Sequence, residues 1–236
     1  MITLLIFTHG RDLCLKQTLE SFADNVKGPI TDVVINDDSP ESRDLSIFEY
    51  FPRETTVTYL RSGGVGFGRA INKTWNFVKG NIHRPFIFHL EDDFTFNEEI
   101  DLWQMMGILD YNPNLAQLAL MRQPYNDAEI TAGSLYELHR DSFKQVTNTY
   151  LYPGGFHLPI EGEDKWVEHD MWFTTNPSLY RRQLVQEFEW PICEHSEGML
   201  TFQLLSKGLT FGYLGTLEDP PKVTHIGNDR MGGIGY

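Results

Sequence analysis

Three adjacent carboxylates follow directly after a short apolar run. Residues 86–90 have the sequence FIFHL, and Glu91, Asp92 and Asp93 come next. Continuous apolar runs are typical of strands buried in a parallel sheet, and ligands of open α/β sheets bind beyond the carboxyl ends of the strands. Crowded acids raise one another's pKa unless a cation neutralises them. Their hard oxygens favour Mg²⁺ or Mn²⁺, completed by substrate phosphates. The cluster therefore predicts a metal that bridges the protein to a phosphorylated ligand, although taken alone it is better explained as a solvated acidic turn.

The elements that must position these acids alternate between strand and helix in the first half of the chain. Apolar runs predict strands at 2–7, 33–35, 57–60 and 86–90, and helical spacing predicts helices after Asp12, after Gly68 and over 98–109. Asp12, Gly80 and Asn97 are expected to cap these helices. The alternation predicts an α/β fold with a mostly parallel sheet and helices on both faces.

The second half is less regular. Strands are predicted at 115–120, 172–175, 210–214 and 222–226, and helices at 177–188 and 198–207. The stretch between 121 and 171 shows no strong periodicity, and residues 227–236 form a glycine-rich tail. Long segments of this kind are usually functional or mobile. No linker interrupts the chain, so one domain over residues 1–236 is expected.

Composition excludes several classes of partner. The net charge is −14 with only 19 Lys and Arg among 236 residues, which argues against nucleic acid. Cys14 and Cys193 have no metal-binding spacing and are expected to be small buried side chains in a reducing compartment and not a disulfide. The chain opens as a strand rather than a signal peptide, and no apolar run approaches the roughly 18 residues of a membrane span. A soluble, cytoplasmic protein is expected.

Polar motifs follow the first four predicted strands in a characteristic order. They are THGR at 8–11, DDS at 37–39, GFGRAIN at 66–72 and EDD at 91–93. This ordered set resembles the GT-A glycosyltransferases of family 2, which are inverting, nucleotide-sugar-dependent enzymes with the motifs PTYNR, VDDGS, NxGFGxAxN and DxD. The resemblance covers almost the whole chain. It implies a GT-A fold, with a Rossmann-like nucleotide-sugar-binding half over residues 1–110 and an acceptor-binding half over 111–236.

The resemblance implies a donor site at these loops. Thr8, His9 and Arg11 would line the nucleobase pocket, with His9 in the place of the family's tyrosine. Asp38 would accept a hydrogen bond from the N3–H of uracil or thymine, which favours a UDP- or TDP-sugar. As an alternative, Asp38 is a turn-former before Pro40. The remaining donor contacts are expected from Gly66, Arg69, Asn72 and Asp92.

The resemblance also implies a metal site for Mn²⁺ or Mg²⁺. Asp93 matches the last acid of DxD, the direct metal ligand, and Glu91 stands where the first Asp is usual. The sequence VTH at 223–225 matches a Val-x-His motif, which makes His225 the ligand opposite Asp93. A structural role is the alternative for a lone histidine. The glycine-rich tail after residue 227 would fold over the donor.

A catalytic base is implied at the start of a late helix. Counting back from Gly208 aligns Glu197 with the family's base, and Glu194 is the reserve candidate. The competing explanation for Glu197 is an acid stabilised by the helix dipole. The segment NPSLYRR at 176–182 resembles the family's acceptor-side segment, although Arg181 and Arg182 are also typical of surface charges.

The sequence as a whole indicates a metal-dependent inverting hexosyltransferase that uses a UDP- or TDP-sugar. A glycan, a lipid-linked, a protein and a small-molecule acceptor are all compatible with the sequence, because no motif distinguishes them. One alternative is a catalytically silent nucleotide-sugar or glycan-binding protein on the same scaffold. A sugar nucleotidyltransferase is less favoured because the N-terminal loop is THGR rather than a glycine-rich loop with a downstream lysine.

Overall fold

The computed structural model describes residues 1–41, 50–152 and 160–227. The predicted tail, apart from Gly227, lies outside the described residues. The strands are β1 Ile2–Thr8, β2 Val26–Lys27, β3 Ile30–Asp37, β4 Thr56–Arg61, β5 Phe86–Glu91, β6 Phe94–Phe96, β7 Ile100–Asp101, β8 Leu115–Ala119, β9 Lys144–Tyr152, β10 Ile160–His169, β11 Ser178–Arg181, β12 Thr210–Leu214 and β13 Val223–His225. The helices are α1 Asp12–Asn25, α2 Phe67–Asn81, α3 Leu102–Tyr111, α4 Asp127–Ala132, α5 Leu135–Leu138, α6 Arg182–Glu187 and α7 Ser196–Leu205.

Nine strands form one mixed sheet in the order β4-β3-β1-β5-β11-β8-β12-β10-β9. The four strands predicted in the first half, β4, β3, β1 and β5, are parallel neighbours. Beyond β5 the sheet is mixed. Strand β11 is antiparallel to both β5 and β8, β10 is antiparallel to β12, and β9 pairs with β10 as the edge strand. The expectation of a mostly parallel sheet therefore holds only for the first half. The α/β fold class is confirmed.

Alternating side chains of the central strands supply two cores. In β1, Leu4 and Ile6 face α1 and α3, whereas Leu5 and Phe7 face α2, α6 and α7. Both sets are buried, as expected for a strand covered on both faces. Among the described residues, no helix is both long and apolar enough to cross a membrane.

Three predicted helix boundaries are wrong. Arg11, not Asp12, is the N-cap of α1, and Asp12 is its first residue. Gly80 lies inside α2, which continues because the Asn81 side-chain amide donates to the carbonyl of Phe77 at 2.8 Å. The helix predicted from 98 begins at Leu102, since residues 100–101 pair as β7 with β2 and the Asp101 carboxylate accepts from the amide of Trp103.

Two predicted elements of the second half are also wrong. Residues 172–175 form an extended segment without strand pairing. The helix predicted over 177–188 is divided, because Ser178–Arg181 pairs between β5 and β8 and only Arg182–Glu187 is helical. The aperiodic stretch 121–171 contains α4, α5 and the β9–β10 hairpin. Long-range pairing, which local periodicity does not report, decides these regions.

A buried histidine on β5 gives the fold a testable pH dependence. His89 is 1% exposed, stacks on Phe7 with ring centroids 4.7 Å apart, and has an Nε2 atom without a hydrogen-bond partner. Burial lowers the pKa of His89 from 6.5 to about 3. Below pH 6.5 this imidazole is protonated in the unfolded chain but stays neutral in the folded protein. The free energy of unfolding must therefore fall as the pH drops below 6.5.

Replacing His89 should reduce the loss of unfolding free energy at acid pH. Between pH 7 and pH 4, His89→Leu should lose less unfolding free energy than the parent, by at most about 3 kcal/mol. Urea denaturation at the two pH values measures the difference. The matched control is His83→Leu, because His83 is exposed and should leave the pH dependence unchanged. Parallel profiles for His89→Leu and the parent would contradict a neutral buried imidazole.

Candidate functional site

The carboxyl ends of three parallel strands meet at one edge of the sheet. Thr8 of β1 lies opposite Asp37 of β3, and Phe7 lies opposite Glu91 of β5. The loops that follow these strands are therefore neighbours. This register brings the first, second and fourth predicted motifs to one place.

Asp92 and Asp93 are buried immediately beyond β5 and are neutralised by protein groups. Arg11 forms salt bridges to both carboxylates. Asp92 Oδ2 also accepts from the Thr8 hydroxyl at 2.7 Å and from the His9 amide at 3.2 Å. Arg11 therefore lies against the acidic cluster, a role that the family resemblance did not specify.

The three acids differ in their protonation tendencies. Burial, reinforced by the charge of Asp93 and then of Glu197, raises the pKa of Glu91 to about 8. Burial also raises the pKa of Asp92, although Arg11 opposes the rise. For Asp93 the same burial is outweighed by the hydrogen bond from His225 and by the charge of Arg11, so its pKa lies below the usual value. Asp93 is thus the acid of the cluster whose carboxylate form is stabilised.

His225 is brought to Asp93 by the short strand β13. Its Nε2 atom lies 3.0 Å from Asp93 Oδ2, and β13 pairs with β6 directly after the acidic cluster. Gln123 holds the backbone of His225 on both sides. The His225 amide donates to Gln123 Oε1 at 2.9 Å, and Gln123 Nε2 donates to the His225 carbonyl at 3.0 Å.

The Asp93–His225 pair has the chemistry of a partial metal site. Asp93 Oδ1 and His225 Nδ1 are both buried without a hydrogen-bond partner. Within the described ranges, no group of three or more His, Cys, Asp or Glu side chains is arranged to hold a metal ion. One carboxylate and one imidazole fit Mg²⁺ or Mn²⁺ only if a ligand completes the shell, which is how Mg²⁺ is commonly bound beside substrate phosphates.

A small pocket lies above the ends of β1, β3 and β5. Five of the residues assigned to the donor line it: Thr8, His9, Arg11, Asp38 and Asp92. Sequence reasoning missed the two aromatic rings in its wall, Phe7 and Phe67. Phe67 is the central residue of the GFG motif, so the signal was present in the sequence.

Asp38 organises the glycine-rich loop that precedes α2. Its Oδ1 accepts from the amides of Gly64 and Val65, at 2.9 and 2.8 Å, and its Oδ2 accepts from the amide of Gly66 at 2.8 Å. The positive φ of Gly66, +92°, lets its amide point back to this carboxylate. Asp38 Oδ2 also lies 3.8 Å from Nδ1 of His9, and its second lone pair is the acceptor that a contact with a base N–H would require.

The other residues assigned to the donor do not line this pocket. Arg69 is exposed and donates to the carbonyl of Val65 at 3.3 Å. The Asn72 side chain donates to the carbonyl of Trp190 at 3.0 Å, and Gly68 packs beside Trp190 and Pro191. The first turns of α2 therefore support the segment that leads into α7.

A larger cleft of about 400 Å³ adjoins the pocket, and Glu91 lines both. Glu197 and His225 line this cleft as well, so the structure brings together the proposed base and two of the three proposed metal ligands, Glu91 and His225. Glu194, the reserve candidate, is exposed and does not line the cleft.

Thr175 holds the carboxylate of Glu197. Its amide donates to Glu197 Oε1 at 2.7 Å, and its hydroxyl donates to the same oxygen at 2.9 Å. No side chain caps the N-terminus of α7 within the described structure. The side chain of Glu197 therefore reaches across to another segment instead of acting as a helix cap.

The segment that carries Thr175 is fixed by side chains. The side chain of Gln117 on β8 forms hydrogen bonds with both backbone groups of Thr174. Its Oε1 accepts from the Thr174 amide at 3.0 Å, and its Nε2 donates to the Thr174 carbonyl at 2.6 Å. Phe173 donates its amide to Thr201 Oγ1 of α7 at 2.8 Å. Sequence reasoning missed Thr175, Gln117 and Gln123, because their contacts join residues far apart in the chain and match no motif.

Comparison with known proteins identifies relatives of this architecture. The family described as Glycosyl transferase family 2 matches residues 3–188. S. aureus TarS 1-349 is 13% identical with a TM-score of 0.58, over 95% of this chain and 60% of that one. The structure of TarS 1-349 in complex with UDP-GlcNAc is 14% identical with a TM-score of 0.58, and the match covers 94% of this chain and 57% of that one. The mannosyltransferase PcManGT from Pyrobaculum calidifontis, in complex with GDP-Man and Mn²⁺, is 13% identical with a TM-score of 0.61, over 98% and 58%.

The chain spans about three fifths of the length of these structures. At this identity the likeness shows the fold alone. No curated protein matches the chain significantly.

Gly227 allows the backbone after β13 to lie directly on the acidic cluster. A Cβ atom at this position would overlap the carboxylate of Asp93 and lie 2.8 Å from Arg11 Nη1. Gly227→Ala should therefore destabilise the fold by about 1–3 kcal/mol, the usual cost of overpacking. Urea denaturation tests this, with Gly198→Ala as the control, because a Cβ at Gly198 meets nothing within 4 Å. Equal stability of the two variants would contradict the close approach.

Proposed function

The chain belongs to glycosyl transferase family 2, and we propose that it transfers a sugar, with inversion, from a UDP- or TDP-sugar to an acceptor hydroxyl. The GT-A fold that the resemblance implied is confirmed. The observation that carries the proposal is the shared position of Glu91. Glu91 lines both the pocket with the nucleobase candidates and the cleft with Glu197 and His225. Donor and acceptor would thus meet at the end of β5.

In this proposal the first half of the chain, residues 1–110, binds the donor. Thr8, His9 and Phe67 surround the base, and the remaining acceptor site of Asp38 receives the base N3–H. Asp93 and His225, with Glu91 nearby, would hold Mn²⁺ or Mg²⁺. The metal supplies positive charge that stabilises the departing diphosphate. TarS in complex with UDP-GlcNAc and PcManGT in complex with GDP-Man and Mn²⁺ support this class of ligand.

The second half, residues 111–236, would bind the acceptor and carry the base. Glu197 would remove the proton from the attacking hydroxyl. Thr175 acts as a positioning residue. Its two hydrogen bonds occupy Oε1 of Glu197, so Oε2 is the oxygen available to the acceptor. Inversion would require the base and the leaving diphosphate on opposite sides of the anomeric carbon, and Glu91, which lines both the cleft and the pocket, would mark the place where they meet.

Nucleotide and metal should stabilise the protein together. With Mn²⁺ present, UDP or TDP should raise the melting temperature more than ADP does, because a ligand that binds only the folded state stabilises it in proportion to its affinity. EDTA should abolish the shift. Differential scanning fluorimetry with UDP, TDP, GDP and ADP measures this.

The Asp93→Asn variant is the matched control for this experiment, since it removes the charge of the metal ligand while keeping its shape. No shift with any of the four nucleotides in the presence of Mn²⁺ would refute the donor site. A shift that survives EDTA and Asp93→Asn would refute the metal requirement alone.

The base assignment predicts a graded series at Glu197 and Thr175. Glu197→Gln should lower kcat by about 10²–10⁴-fold while nucleotide affinity stays unchanged, because general base catalysis typically contributes that factor. Thr175→Val, which removes only the hydroxyl, should lower kcat by about tenfold, and Thr175→Ser should restore it. Steady-state kinetics with a donor found by the thermal screen, plus UDP titration of each variant, provide both readouts.

Glu194→Gln serves as the control, because Glu194 lies outside the cleft lining and should keep full activity. Loss of turnover in Glu194→Gln with normal turnover in Glu197→Gln would transfer the role to Glu194. Donor binding without turnover over a broad acceptor panel in the parent protein would favour the silent binding alternative.

A further inference from the structure

The acceptor side of the cleft combines fixed aromatic rings with carboxylates. Trp172 donates its indole N–H to the hydroxyl of Tyr213 at 3.0 Å and meets His139 edge to face at 5.4 Å. Tyr125 is 43% exposed, and the guanidinium of Arg122 lies 5.1 Å from its ring centroid. All of these residues line the cleft. Rings held in this way offer rigid apolar faces at little cost in entropy.

The cationic group in this wall is already neutralised. The guanidinium of Arg122 donates two hydrogen bonds to the carboxylate of Glu129, at 2.7 and 3.1 Å. Glu129 is 3% exposed and also accepts from the amide of Tyr125 at 2.9 Å. Besides Arg122, none of the described residues that line the cleft is Lys or Arg, whereas Glu91, Glu129 and Glu197 are all acids. An incoming phosphate would meet the carboxylates of Glu129 and Glu197 and find no available guanidinium.

We propose that this wall, defined as Tyr125, His139 and Trp172 with the Arg122–Glu129 pair, binds an uncharged sugar ring and discriminates against phosphorylated acceptors. The proposal rests on the proposed function only in calling this ligand the acceptor. A sugar ring has an apolar C–H face that packs on aromatic side chains and a rim of hydroxyl groups that hydrogen-bonds polar ones. The ring would lie against Trp172 or Tyr125 with one hydroxyl toward Glu197.

Binding of matched neutral and charged sugars tests the proposal. The probes are methyl glucoside, methyl galactoside and methyl N-acetylglucosaminide, each beside its 6-phosphate, titrated by saturation-transfer NMR with UDP and Mn²⁺ and again with EDTA alone. At least one neutral glycoside should bind at least about tenfold more tightly than its 6-phosphate, a difference of about 1.4 kcal/mol. Equal or tighter binding of the phosphates, or no binding of any neutral glycoside, would overturn the proposal.

Variants separate the roles of ring and charge. Trp172→Ala and, independently, Tyr125→Ala should weaken binding of the neutral glycoside. Phe202→Ala should not, because Phe202 is a 71% exposed aromatic on α7 outside the cleft lining. Glu129→Gln keeps the side-chain shape but releases Arg122, so it should raise affinity for the 6-phosphate and reduce the preference for the neutral sugar. An unchanged preference in Glu129→Gln would contradict the electrostatic basis.

The outcome is distinguishable from that of the transfer proposal. Neutral sugar binding without nucleotide binding or turnover would leave this surface established and refute the transferase function. Turnover of a phosphorylated acceptor, with no binding of neutral glycosides, would refute this inference and leave the transferase function intact.

Discussion

The burial of two carboxylates at the end of β5 constrains the rest of the site. Asp92 and Asp93 are at most 1% exposed, and buried charge is costly unless it is paired. Arg11 meets both of them from the loop after β1, and His225 meets Asp93 from β13. The N-terminal loop, the middle of the chain and its last described strand are therefore joined at one point. This requirement explains why β13 folds back onto β6.

Around the cleft, two glutamine side chains form hydrogen bonds with backbone groups that a neighbouring strand would otherwise satisfy. Gln117 brackets the amide and carbonyl of Thr174, and Gln123 does the same for His225. A carboxamide offers one acceptor and a donor group, which is the pairing that a neighbouring strand would supply. Residues 172–175 are irregular and His225 belongs to β13, and in both places a carboxamide satisfies buried backbone polar groups. Both segments then present a functional candidate, Thr175 in one case and His225 in the other.

The sequence predicted the parallel half of the sheet well and the antiparallel half poorly. Strands such as β1 and β5 are buried on both faces, so their apolar runs are unambiguous. In α2, Ile71, Trp75 and Val78 recur at helical spacing and are buried. By contrast, residues 172–175, with the sequence WFTT, form no ladder, because the partners of their backbone are side chains from β8 and α7. For the candidate site, the motifs identified Glu91, Asp93, Glu197 and His225 as candidates. Local patterns could not identify the groups that hold them.

The arginines next to the two pockets are bound to the protein's own acids, and this arrangement has a consequence for both substrates. Among the described lining residues, Arg11 and Arg122 are the Lys or Arg side chains, and they pair with Asp92 and Asp93 and with Glu129. In the proposed function, a donor diphosphate placed beside Glu91 would meet no unpaired Lys or Arg among the described lining residues, which is the physical reason for proposing a divalent metal. The same pairing of charges with the protein's own acids is what makes a neutral acceptor the better fit in our proposal.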